Sequence, residues 1–194
     1  MTAKSAPATP PKRYTLEEYF DLEFKAERKH EFWNGGIRAM TYTSPEHGEI
    51  QTNLSDVLAA CLRAKEYKKY IADRMILVPE CNKVFYPDLV IICGEQQFHQ
   101  YKKKMKATLN PAVLIEILSD STEQQEHIDK WNCYRSIPSL QQYVIVEQNK
   151  LNIHSYRRKM EREWDYSYAD KPGDTISILD CMVQVNAVYE GIVL

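Results

Sequence analysis

Tyr86-Pro87-Asp88-Leu89-Val90-Ile91-Ile92 and Val113-Leu114-Ile115-Glu116-Ile117-Leu118 are the stretches on which the fold turns. Both are short apolar runs rich in β-branched residues, bounded by polar segments. Runs of that length and type predict buried strands. Each run carries one carboxylate and no Arg or Lys. An ionised carboxylate buried without a partner costs several kcal/mol. Two strand carboxylates lacking a local counter-charge suit a hard divalent cation. Such an ion takes one or two protein carboxylates and keeps water and substrate phosphate in its other positions. Pro87 has no N–H to give to a ladder, so it sets Asp88 at a strand end or sheet edge. Glu116 follows 28 residues later, far enough for an excursion and a return to a neighbouring strand. Pairing of the two strands would put both carboxylates on one face. Two other roles stay open at this point: Asp88 as a turn-side cap, and Glu116 as partner to a cation from elsewhere in the chain.

Working outward, residues 1–13 hold Pro7, Pro10 and Pro11 and are expected to form a flexible tail. Residues 14–194 are expected to fold as one domain. Thr15 and Glu18 form a capping box ahead of Leu16, Tyr19, Phe20 and Phe24, predicting a helix to about Ala26. Asn34-Gly35 between His30–Trp33 and Ile37–Met40 predicts a hairpin, with Glu31 and Trp33 on one face. Ser44 and Pro45 open a second helix, with Ile50, Leu54, Val57, Leu58, Cys61 and Leu62 on its core face. A strand region over Tyr70–Val78 is broken by Pro79, and Gly94–Pro111 reads as a polar loop. Ser121 or Thr122 caps a third helix running to about Tyr134. Strands are expected at Tyr143–Val146, a hairpin-like pair at Ile153–Tyr156 and Trp164–Tyr168, and short strands near Ile176–Ile178 and Val183–Val185. Strands and helices in this order give an α/β (α+β) layer structure around a mixed central sheet.

Composition narrows the class. The chain has 194 residues, 44% hydrophobic and 27% charged, and a formal net charge of −2. It is long enough for a proper core. No stretch has the length of a membrane span and the N-terminus lacks the apolar core of a secretion signal, so a cytoplasmic location is expected. The five cysteines, Cys61, Cys81, Cys93, Cys133 and Cys181, show no zinc-ligand or redox spacing and are expected to be reduced. The overall charge gives no sign of a nucleic-acid partner, although a local basic patch would suffice.

Glu126, Lys130 and Tyr134 lie four apart and share a helical face. An ordinary solvated Glu–Lys pair would look the same. Because this helix directly follows the Glu116 strand, its face can also lie over the sheet. A lysine there would orient a water or stabilise charge on a pentavalent phosphorus. Lys102, Lys103 and Lys104, with Lys106 and Tyr101, lie between the two carboxylate strands and could guide a nucleic-acid backbone. The cluster Arg157, Arg158, Lys159 and Arg162 is interspersed with Glu161 and Glu163 and reads better as solvated loop charge. Helix-turn-helix and zinc-finger patterns are absent, so sequence-specific reading is unsupported.

Pro87-Asp88 followed by Glu116 resembles the PD-(D/E)XK nuclease signature. The span from Tyr14 to about Gly191 more closely resembles the Uma-two family, a restriction-endonuclease-like group. The resemblance is carried by Tyr14–Tyr19, Arg28–Glu31 with Asn34-Gly35, Ser44–His47, and Tyr86–Val90. It continues with Asn110-Pro111, Glu116–Ser119, Ser121–Glu123, Lys130, Tyr134-Arg135 and Ile137–Val144. It implies a restriction-endonuclease-like core with additional β-hairpins, Asp88 and Glu116 as ligands of Mg²⁺ (or Mn²⁺), and hydrolysis of nucleic acid, with DNA favoured. The lysine of the general signature, two residues after the glutamate, is replaced by Leu118. Lys130 matches the position to which that lysine moves in the resembling family. Glu31 and His47 match recurring polar positions, one as a third carboxylate and the other as a phosphate contact, and Glu126 would orient Lys130. A homodimer or higher homo-oligomer is in keeping with such folds. The departure at Leu118 keeps a second reading open: a catalytically degenerate module that binds nucleic acid or a protein. A third, a purely structural interaction domain, draws on Tyr166 and Tyr168 but leaves the buried carboxylates unexplained.

Overall fold

In a computed structural model of the chain, the described residues are 12–101, 105–118 and 124–194. Residues 1–11 of the expected 1–13 tail, the lysines 102–104 and the cap at Ser121 or Thr122 lie outside them. In chain order the elements are α1 (Leu16–Glu23), β1 (His30–Trp33), β2 (Gly36–Ala39), α2 (Pro45–Ala64), β3 (Lys68–Ile71), β4 (Ile76–Val78), β5 (Lys83–Phe85), β6 (Leu89–Ile92), β7 (Phe98–Tyr101), β8 (Met105–Thr108), β9 (Val113–Leu118), α3 (Gln124–Tyr134), β10 (Gln142–Glu147), β11 (Ile153–Arg158), β12 (Trp164–Ala169), β13 (Thr175–Ile178), β14 (Cys181–Gln184) and α4 (Val185–Val188). A single 3-10 turn at Pro79–Cys81 joins β4 to β5.

Local chemistry explains the framework. Thr15 Oγ1 accepts from Glu18 N while the Glu18 carboxylate accepts from Thr15 N, closing the capping box. Asn34 and Gly35 both have positive φ (46° and 97°), the two-residue turn that suits hairpin twist. Ser44 caps α2 by accepting from His47 N, with Pro45 at the first helical position.

The strands form two mixed six-stranded sheets, ordered β2-β1-β5-β4-β8-β7 and β12-β11-β10-β9-β6-β3, and a β13-β14 hairpin. In the second sheet β9 runs parallel to β10 and antiparallel to β6. One face is covered by Ile50, Leu54, Leu58 and Leu62 of α2, together with β14 and α4. On the other face, Tyr134 and Cys133 of α3 and Ile76, Val78 and Phe85 of the first sheet meet Val90, Ile92, Leu114 and Tyr143. Tyr19 and Phe20 of α1 pack with Phe32, Leu77 and Val84 of the first sheet. This is the mixed α+β layering expected from the element order, although the β-structure is split between two sheets.

Three expectations are corrected. The Tyr70–Val78 region is two strands in different sheets, separated by Ala72 at φ 56°. Gly94–Pro111 holds the β7–β8 hairpin, whose polar, half-exposed residues carry little apolar alternation. The cysteines are paired, Cys61 with Cys181 and Cys81 with Cys133, each with Cα atoms 5.9 Å apart, leaving Cys93 free. The paired residues are 120 and 52 apart in sequence, so only folding brings them together. Among the described residues, no helix is long and apolar enough to cross a membrane.

Candidate active site

The β6–β9 register sets the site. Leu89 pairs with Ile115 and Ile91 with Val113, so one step further Asp88 stands opposite Glu116. Pro87 ends the ladder there, and Asp88 Oδ2 instead accepts from Ile117 N at 2.7 Å. Asp88 is therefore held at a strand end, with its carboxylate turned to the neighbouring strand. The backbone oxygen of Asp88 accepts from Gln51 Nε2 (2.9 Å) and Ala72 N (2.8 Å), which ties α2 to the same point.

Glu116, Glu31 and Lys130 meet beside it. Lys130 Nζ lies 3.0 Å from Glu31 Oε1, 3.5 Å from Glu116 Oε1 and 3.7 Å from Glu126 Oε1. Tyr134 donates to Glu116 Oε1 at 2.7 Å, and Trp33 Nε1 donates to Glu31 Oε2 at 2.9 Å. The helical face of Glu126, Lys130 and Tyr134 therefore packs over the sheet. His47, in the first turn of α2, places Nε2 3.2 Å from Asp88 Oδ1. These groups line a cleft of about 550 Å³ together with Arg38, the 39–44 segment, His127 and Gln148.

Electrostatics show a deficit of positive charge. Burial pushes the Glu116 carboxyl up to about 7; Lys130 and the Tyr134 hydrogen bond oppose this, while Asp88 and Glu31 add to it. Burial alone would lower the Lys130 pKa, but Glu116, Glu31 and Glu126 outweigh it and hold it above its ordinary value. Burial would likewise lower His47. The Asp88 hydrogen bond and charge, with Glu116 and the Ile117 backbone, raise it instead. The floor thus gathers Glu31, Asp88, Glu116 and Glu126 around one ammonium and one imidazole, with Arg38 3.8 Å from Glu126 at the rim.

That donor set fits a hard divalent cation. Among the described residues, no group of three or more His, Cys, Asp or Glu side chains converges to form a cage. Two opposed carboxylates, with water and a substrate oxygen completing the sphere, match the habit of Mg²⁺. The Asp88 oxygens are engaged by His47 and by Ile117 N, so an ion held there would compete with the imidazole.

Of the residues singled out in the sequence, Asp88, Glu116, Lys130, Glu31, His47 and Glu126 converge. Lys106, in β8, is not among the residues lining the cleft, and its Nζ lies 5.2 Å from the Phe98 ring centroid. The sequence reading missed four groups: Tyr134 as hydrogen-bond donor to Glu116, Gln51 as anchor of Asp88, and His127 and Gln148 as wall residues. Tyr134 carried a signal in its spacing from Lys130. Gln148 carried none, since it reaches the cleft only because β10 lies parallel beside β9, where Gln148 N donates to Leu118 O.

Layers and site together define a protein of nuclease-like fold. The chain belongs to the Uma2 family, described as "Putative restriction endonuclease", whose model matches residues 16–187. It is 30% identical over 150 residues to the uncharacterized protein sll1609 of Synechocystis sp., covering 77% of this chain and 84% of that one. A second uncharacterized protein of the same organism, slr1290, is 25% identical over 190 residues, covering 96% and 97%. A crystal structure from Anabaena variabilis, described as a "putative nuclease belonging to DUF820", superposes with a TM-score of 0.72 over 91% of this chain and 97% of that one. Its identity is 14%, so it speaks to the fold alone.

Proposed function

We propose that this protein is a Mg²⁺-dependent endonuclease hydrolysing phosphodiester bonds, with DNA as substrate. The observation that carries the reading is the meeting of Asp88 and Glu116 from opposed strands under the ammonium of Lys130. When bound, the ion would polarise a phosphoryl oxygen and acidify water. Asp88 and Glu116 would hold it. Lys130, kept protonated by its carboxylate neighbours, serves as stabiliser of the charge developing on phosphorus rather than as a base. Glu31 and Glu126 fix its ammonium, and Tyr134 orients Glu116. His47 is positioned to contact a phosphate oxygen. Water adds to phosphorus and the ester P–O bond breaks, leaving a phosphomonoester and a hydroxyl that takes one water proton.

The departure at Leu118 keeps a binding-only module open as the second reading. The Lys130 ammonium 3.5 Å from Glu116 supports hydrolysis over it. A cytoplasmic location and a homodimer able to address two strands belong to the same proposal.

The test is cleavage of plasmid and oligonucleotides in Mg²⁺, Mn²⁺ or EDTA, with wild type beside Asp88→Asn. Asn keeps an acceptor for Ile117 N, so the variant should fold. Metal-dependent cleavage lost in the variant is the expected result. Undiminished cleavage by Asp88→Asn would overturn the assignment.

A further inference from the structure

The carboxylates lie at the bottom of their cleft. Glu31, Glu116 and His47 are 5%, 6% and 7% exposed, whereas Tyr42 on the rim is 84% exposed. The cleft above them has a volume of about 550 Å³. A floor this deeply buried suits a flexible single strand, whose phosphate can be led down to it, better than a stiff paired helix.

The rim has the chemistry for such a strand. Tyr42 lines the cleft, and the Arg28 guanidinium lies 5.1 Å from its ring centroid. Arg38, also lining the cleft, sits 4.0 Å from the Trp33 ring centroid, and Lys83 Nζ sits 4.2 Å from the same ring. Trp33 in turn donates to Glu31, so the cationic rim is fastened to the acidic floor. A stackable ring beside cations is how proteins track unpaired nucleotides. A second observation points the same way. Buried side-chain atoms without a hydrogen-bond partner, among the described residues, include Gln148 Oε1, His127 Nε2 and His47 Nδ1, all on residues lining this cleft. Native proteins leave few such atoms unpaired, and those they leave call for an explanation. An exposed base edge can supply the missing partners, Gln148 Oε1 accepting from an exocyclic amine.

We propose that the substrate is a strand unpaired around the scissile phosphate, with one base stacked on Tyr42 and the flanking phosphates held by Arg28 and Arg38. This rests on the phosphodiesterase reading and adds the substrate class. Folded full-length protein, in EDTA so that nothing is cut, is titrated with a labelled 12-nucleotide single strand and with the duplex of the same sequence. The single strand carries a 2-aminopurine as the stacking probe. Tighter binding of the single strand is expected. Tyr42→Ala should weaken it about tenfold and abolish the 2-aminopurine quenching, while Tyr42→Phe retains both. Tyr168→Ala, on the exposed edge strand β12, should change neither. Equal binding of duplex, no oligonucleotide binding, indifference to Tyr42→Ala, or loss following Tyr168→Ala instead would overturn the proposal. Metal-dependent cleavage in a parallel Mn²⁺ assay against Asp88→Asn judges the hydrolytic reading separately. Duplex cleavage indifferent to Tyr42 sinks the substrate class alone, and stacking without cleavage sinks the hydrolysis alone.

Discussion

One ammonium, that of Lys130, faces three carboxylates, and its side chain is largely buried. Replacing it by Met leaves Glu31 and Glu116 buried without their counter-charge. A loss of about 3 kcal/mol in unfolding free energy is expected by denaturant titration, along with loss of cleavage. Adding Glu31→Gln should restore part of the stability and none of the activity. Asp88→Asn separates structure from chemistry. Its melting temperature should stay near wild type, while Mn²⁺ affinity measured by calorimetry should fall by more than the ~10–100-fold typical of outer hydrogen-bond partners. Glu147 tests electrostatics outside the cleft. Burial would raise its pKa, but the hydrogen bonds from His154 and Lys150 hold it below the usual 4.5. A depressed folded pKa contributes stability above the unfolded value and loses it as pH falls through the folded one. Glu147→Gln should therefore cost about 1 kcal/mol or less at pH 7, with the gap to wild type closing as pH falls below the usual 4.5.

Helix ends and turns fix where these side chains stand. The capping box at Thr15 is exposed and remote from the cleft, so Thr15→Ala should cost about 1 kcal/mol by thermal melting and leave cleavage unchanged. At α2 the cap has a second consequence. Ser44 sets the first turn, and that turn presents His47 to Asp88. The β6–β9 register matters most. A one-residue slip would turn Glu116 to the α2 face, among Ile115 and Ile117, and destroy the pairing with Asp88.

Across the whole molecule, two covalent links join distant parts. Cys81–Cys133 ties α3, and so Lys130 and Tyr134, to the turn after β4, while Cys61–Cys181 ties α2 to β14. Protein purified without reductant should give those two cross-linked peptides on non-reducing digestion, with Cys93 alone alkylated. Reductant should lower the unfolding free energy by about 2–4 kcal/mol.

What the sequence determined by itself was local. Alternation and apolar runs marked β9, β10 and the β11–β12 pair, and capping chemistry marked α1 and α2. The types of residue suited to cation and phosphate were visible at Asp88, Glu116, Lys130, Glu31 and His47. These signals survive because they reside in a few adjacent residues, whose φ/ψ preferences and hydrogen bonds are settled nearby. The β7–β8 hairpin and the division of Tyr70–Val78 between two sheets were decided by tertiary pairing, since their polar or mixed residues gain order only from neighbouring strands. So were the cysteine pairs and the arrival of Gln148, His127 and Gln51 at the cleft. Contact across tens of residues depends on register and layer packing, and a side chain's own neighbours in sequence carry no record of it.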